Sequence, residues 1–99
     1  MYKLRYLEQA KNDLVQIKHY IAKESGSVGI GLNFTEKLRQ QCRGLAATSG
    51  MIGQARPELG KEIRSFPYGN YVILFRYNDD YLDVITIVEG HRDIQKLLQ

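Results

Sequence analysis

A chain of 99 residues with 43% hydrophobic and 25% charged side chains has the size of a single domain, residues 1–99, and a globular balance that excludes the disordered and fibrous classes. No apolar run approaches the ~20 residues of a membrane helix, and the opening MYKLRYLEQAK lacks the apolar stretch of a signal peptide, so a cytoplasmic protein is expected. The net charge of +3 is uneven: residues 1–49 carry eight Lys/Arg against four Asp/Glu and residues 50–99 six against seven, a modest basic excess that fits nucleic acid, an acidic peptide or an ordinary solvated surface.

Tyr2, Leu4 and Tyr6 alternate with Lys3 and Arg5, the period of a half-exposed strand. From Glu8 the period becomes helical: Ala10, Leu14, Ile17 and Ile21 form one stripe, with Asn12, Asp13, Gln16, Lys18 and Lys23 mostly opposite, which predicts an amphipathic helix over 8–23. Ser25-Gly26-Ser27 ends it and offers a cap to the next. Gly31, Phe34, Leu38, Cys42 and Leu45 predict a second helix over 27–47. The two should pack as an antiparallel hairpin, with Gly29 and Gly31 allowing a close approach. Cys42, the only cysteine, sits on that stripe as a small buried hydrophobe and permits neither an intrachain disulfide nor a cysteine-based zinc site.

Residues 48–57 are rich in turn formers and read as a loop. Alternation over 58–66 predicts a strand with Leu59, Ile63 and Ser65 on one face and Glu62, Arg64 and Phe66 on the other. Pro67-Tyr68-Gly69-Asn70 reads as a turn. Residues 71–77 and 81–88 are apolar on both faces, joined by a turn at Asn78-Asp79-Asp80, and Ile94, Leu97 and Leu98 predict a short closing helix. The expected fold is α+β: an N-terminal strand, a helical hairpin on one face of a mainly antiparallel sheet, and a three-stranded C-terminal meander. One hairpin covers one sheet face only, so the second face requires a cover from the closing segment, from edge residues or from a partner.

Chemistry concentrates at the end of the meander. His91 and Arg92 close the last strand, and Arg64 and Arg76 belong to its neighbours, so a histidine and several arginines form a candidate site for phosphodiester cleavage, imidazole moving the proton and guanidiniums binding phosphate. The same arginines are read more readily as surface groups paired with Glu62, Asp83, Glu89 or Asp93. His19 falls away from the apolar stripe of its helix and reads as solvated. Metal-ligand spacing, phosphate loops and nucleophile elbows are absent from the sequence, so neither metal nor cofactor is expected.

The opening Ala10-x-x-Asp13-Leu14-x-x-Ile17-x-x-Tyr20-Ile21, the segment Arg64-Ser65-Phe66…Gly69-Asn70-Tyr71-Val72-Ile73…Phe75-Arg76-Tyr77 and the closing Val88-Glu89-Gly90-His91-Arg92-Asp93 together resemble the ParE branch of the RelE/ParE toxin superfamily. The likeness spans nearly the whole chain. It implies a toxin of a type II toxin–antitoxin system, held in a heteromeric complex by a ParD-like antitoxin that covers the apolar second face. It also implies a poison of DNA gyrase, or of the gyrase–DNA complex, that blocks replication by binding, without enzymatic activity of its own; the slightly acidic balance of residues 50–99 suits direct nucleic-acid binding poorly. Arg64, Arg76, His91, Arg92, Ile94, Leu97 and Leu98 are then the partner-binding candidates. The RelE-like alternative is a ribosome-dependent mRNA endoribonuclease using His91, Arg64 and Arg92, although the lysines and tyrosine of that branch are not evident; His91-Arg92-Asp93 resembles the basic-basic-Asp ending of ParE-like sequences, with histidine in place of the more usual arginine. A non-toxic binding module or decayed toxin is the third reading.

Overall fold

The computed structural model describes residues 1–48 and 50–90. Strand β1 (Lys3–Tyr6) leads into helix α1 (Glu8–Ser25) and helix α2 (Val28–Ala47), followed by β2 (Gln54–Ala55), β3 (Arg64–Tyr68), β4 (Tyr71–Asn78) and β5 (Tyr81–Glu89). The strands form one sheet of order β1-β5-β4-β3-β2, in which β1 runs parallel to β5 and every other pair is antiparallel. The expected α+β architecture is borne out. The closing helix expected around Ile94, Leu97 and Leu98 lies outside the described residues.

The helices form where the apolar period predicts them. α1 stops at Gly26, whose φ of 72° is the left-handed conformation that ends a helix, its N–H donating to the Ala22 carbonyl. Ser27 caps α2 by accepting from the Ile30 N–H at 3.3 Å. Of the two glycines expected at the helix contact, Gly31 is the one that makes it: a Cβ there would stand 2.5 Å from the Lys18 carbonyl oxygen, whereas at Gly29 it would meet only the Ser27 hydroxyl at 3.7 Å. The hairpin buries Ala10, Leu14 and Ile17 of α1 and Leu38, Cys42 and Leu45 of α2 against Tyr71, Ile73, Phe75 and Tyr77 of β4 and Leu82, Val84 and Ile87 of β5. Tyr2, Leu4 and Tyr6 pack on the same core, as their alternation predicts.

Three local differences from the expected fold have physical causes. First, the strand expected over 58–66 begins only at Arg64. Residues 56–63 fold into turns, with Leu59 N–H donating to Arg56 O at 3.0 Å and Arg56 N–H to Ile63 O at 2.8 Å; positive φ at Gly60 (148°) and Glu62 (67°) breaks the extended run that alternation mimics. The short β2 arises within the stretch expected to be loop, paired to Arg64 and Ser65.

Second, Pro67 lies inside β3, opposite Val72, rather than in the turn, which is only Gly69-Asn70. Tyr68 and Tyr71 close that two-residue hairpin as a hydrogen-bonded pair, so the next pair is not hydrogen-bonded and the proline nitrogen faces the edge that β2 leaves uncovered.

Third, β5 carries a bulge. Leu74 pairs with Thr86 but Phe75 with Val84, so Ile85 is an extra residue and the side chains beyond it change faces. Ile87 therefore joins Leu82 and Val84 in the core, while Val88 joins Val72 and Leu74 on the opposite face. Asp13 holds the bulge: its carboxylate accepts from the Thr86 hydroxyl and, at 2.9 Å, from the Ile87 N–H. The helical wheel puts Asp13 on the solvent side, yet it joins α1 to β5.

Candidate functional site

The face of the sheet turned away from the helices divides into two zones. Toward the β3–β4 turn, Val72 and Leu74 are buried with Val88 and with Leu59, which the 56–63 turns fold over them. Beside Leu59, Arg56 Nε donates to the buried Ser65 hydroxyl at 3.0 Å and Nη1 to Glu58 at 3.1 Å. Part of the cover that the second face requires therefore comes from the chain itself, from a segment expected to be strand.

The other zone is charged. β1 and β4 flank β5, and their register aligns Arg5 and Arg76 with Asp83. Arg5 holds the Asp83 carboxylate side-on, through Nε at 2.6 Å and Nη2 at 3.1 Å. Arg76 Nε at 3.4 Å and Asn78 Nδ2 at 3.2 Å complete four donors on one carboxylate. Asp83 is 0% exposed while the two arginine side chains are 44% and 42% exposed. A carboxylate buried between apolar Leu82 and Val84 persists only when paired and saturated with hydrogen bonds. The hydrogen bonds from Arg5, then those from Asn78 and Arg76, hold its pKa below the ordinary range against the opposing effect of burial. The Arg5 guanidinium also lies over the Tyr81 ring, 4.1 Å from its centroid. Lys3 shares this face by alternation with Tyr2 and Leu4.

Arg64 and Arg76, singled out from sequence, are not brought together. Arg64 pairs with Phe75, so its side chain leaves the helix-side face, and Arg76 leaves the other. The Arg64 guanidinium is occupied by the loop before β2, Nε donating to Ile52 O at 2.9 Å and Nη2 to Gly53 O at 2.8 Å. The loop can lie this close because residue 53 is glycine: its φ is 87°, and a Cβ would stand 2.6 Å from the Ser65 carbonyl oxygen. Ile52 N–H in turn donates to the Tyr77 hydroxyl, which donates to Leu45 O, both at 3.2 Å, tying the loop to the end of α2. His91, Arg92, Ile94, Leu97 and Leu98 lie outside the described residues.

His19 is exposed on α1, as its place on the wheel predicts. Cys42 is fully buried, and burial pushes its thiol pKa up to about 11, which leaves it protonated and unreactive. Tyr6, also pushed up by burial, finds no hydrogen-bond partner for its hydroxyl among the described residues. Among the described residues no group of three or more His, Cys, Asp or Glu is placed to hold a metal ion, and no helix is long and apolar enough to cross a membrane.

The Arg76–Asp83 pairing was legible in the short meander turn between them. Arg5 was missed, although two signals pointed to it: a lone aspartate inside an apolar strand needs a cation, and Arg5 lies on the outward side of the alternating first strand.

Comparison with known proteins agrees with the fold. Residues 4–94 match the family described as ParE toxin of type II toxin-antitoxin system, parDE. A solved structure described as the chromosomal ParDE TA system from P. aeruginosa superposes with a TM-score of 0.78, at 17% identity, covering 92% of this chain and 98% of that one. No curated protein matches the sequence.

Proposed function

Because the chain belongs to the ParE toxin family of type II toxin–antitoxin systems, we propose that it arrests growth by binding DNA gyrase in the cytoplasm and that a ParD-like antitoxin neutralises it. The observation that carries the choice of gyrase over nucleolytic cleavage is the divergence of Arg64 and Arg76. Guanidiniums that share a phosphate must converge on it; here Arg64 projects from the helix-side face, with Nε and Nη2 directed at the carbonyls of Ile52 and Gly53, and Arg76 projects from the opposite face. The described residues thus supply no cluster of converging cations beside a proton-transfer group.

The test pairs two assays on the purified chain. Supercoiling by gyrase is inhibited and cleaved DNA complex accumulates if the reading is right; full supercoiling at excess protein refutes it. Cuts in mRNA in a translating extract, abolished by His91→Ala, would establish the nuclease instead. Unimpaired growth on expression without antitoxin would establish a non-toxic binding module.

A further inference from the structure

The charged zone on the outer face has a consequence for what binds there. Asp83 is saturated by four donors, yet those bonds use only Nε and one Nη2 hydrogen of Arg5 and, among the described residues, only Nε of Arg76. The outer edges of both guanidiniums remain presented to solvent. Both are held in place: Arg5 is fixed by a side-on pair to an immobile carboxylate and by the Tyr81 ring beneath it, and Arg76 by the same carboxylate. The ordering cost of two long side chains is therefore met before any ligand arrives. Lys3 projects from the same face of β1, opposite Tyr81, so Lys3, Arg5 and Arg76 share this face with one buried anion.

We propose that Arg5 and Arg76 form a preorganised carboxylate-binding site for an acidic peptide segment of a protein partner, the segment lying across β1, β5 and β4 with one of its carboxylates seated between the two guanidinium forks. The proposal deepens the antitoxin reading and rests on it for the source of the segment; the chemistry rests on the geometry alone. A nucleic-acid phosphate backbone fits the zone less well. Asp79 and Asp80 occupy the β4–β5 turn at its end, and residues 50–90 carry four Lys/Arg against six Asp/Glu, whereas a duplex presents a charge about every 1.7 Å and demands an extended basic surface. The open zone adjoins the one already covered by Leu59, so a bound segment would complete the cover of the sheet.

The test titrates fluorescein-labelled hexaglutamate, and separately a labelled DNA duplex, with the full chain at low ionic strength. Wild type binds hexaglutamate saturably and more tightly than DNA. Arg76→Gln, which leaves the Arg5–Asp83 pair intact and folded by circular dichroism, weakens binding about tenfold, the effect of losing a charge-assisted fork. Two variants separate a built site from diffuse positive charge. Arg76→Lys keeps the charge but not the fork and weakens binding; Asp83→Asn raises the local positive charge but releases both guanidiniums, and also weakens it. Wild-type affinity in Arg76→Lys, tighter binding in folded Asp83→Asn, tighter binding of DNA than of hexaglutamate, or no saturable binding at all overturns the proposal. Failure of the toxin reading registers instead as unimpaired growth on expression, which this titration does not involve.

Discussion

Replacing Asp13 with alanine tests whether a helix side chain sets the faces of the last strand. The carboxylate accepts from the Thr86 hydroxyl and the Ile87 N–H, and Ile87 itself is 3% exposed. Hydrogen bonds to a charged group contribute about 1.5–3 kcal/mol each, and an orphaned buried N–H retains its desolvation cost. Since Asp13 is only half-buried, the lower end applies, and two bonds amount to about 3 kcal/mol. For a domain near 100 residues, at about 4–8 °C per kcal/mol, this lowers Tm by about 12–24 °C. Asp13→Asn keeps an acceptor for Ile87 and should cost about 1 kcal/mol. Guanidinium unfolding followed by circular dichroism measures both. An Asp13→Ala variant within about 0.5 kcal/mol of wild type, the range of an ordinary surface substitution, refutes the role assigned to Asp13.

Two further predictions concern stability. Gly31→Ala should destabilise the chain by about 1–3 kcal/mol despite the roughly 1 kcal/mol helix-propensity gain, because its Cβ meets the Lys18 backbone, while Gly44→Ala, with nothing within 4 Å, should stabilise it by about 1 kcal/mol; thermal melts of the two variants should move in opposite directions. The folded-state pKa of Asp83 lies below its ordinary value of 3.8, so its pairing contributes stability that is fully present above about pH 4 and is lost as pH falls through the folded value. Unfolding free energies measured from pH 5 downward should fall less steeply in Asp83→Asn than in wild type; equal slopes would show that the pair does not drive the acid limb.

Long apolar periods made the helices and the two central strands legible, because burial of a stripe sets both their type and their facing. Ala10, Leu14 and Ile17 needed only a 3.6-residue wheel, and Tyr2, Leu4 and Tyr6 only alternation. The strand over 58–66 misled because Leu59, Ile63 and Ser65 satisfy a period of two while Gly60 and Glu62 adopt positive φ, which the pattern does not register. The bulge at Ile85 was hidden for a related reason: Val84, Ile87 and Val88 supply hydrophobic groups on both parities, and the Asp13 contact that holds the observed facing lies 74 residues away in sequence. Arg64 and Arg76 were too close in sequence for register to be judged without the Gly69-Asn70 turn geometry. The arginine site at Asp83 spans β1 and β5, and no local window contains both halves.

The parallel pairing of β1 with β5 also shapes how the protein comes into being. Arg5 and Asp83 are separated by 78 residues, so the sheet position next to β1 is filled by a strand made long after it. At about 5–20 residues per second, translation leaves the helical hairpin without the sheet it packs on for several seconds, its apolar stripes open to the cell. The core is completed only when β4 and β5 emerge, because they carry Tyr71, Ile73, Phe75, Tyr77, Leu82, Val84 and Ile87. A nascent or truncated chain lacking β5 has no Arg5–Asp83 pair and no complete outer face, so whatever activity rests on that face waits for β5.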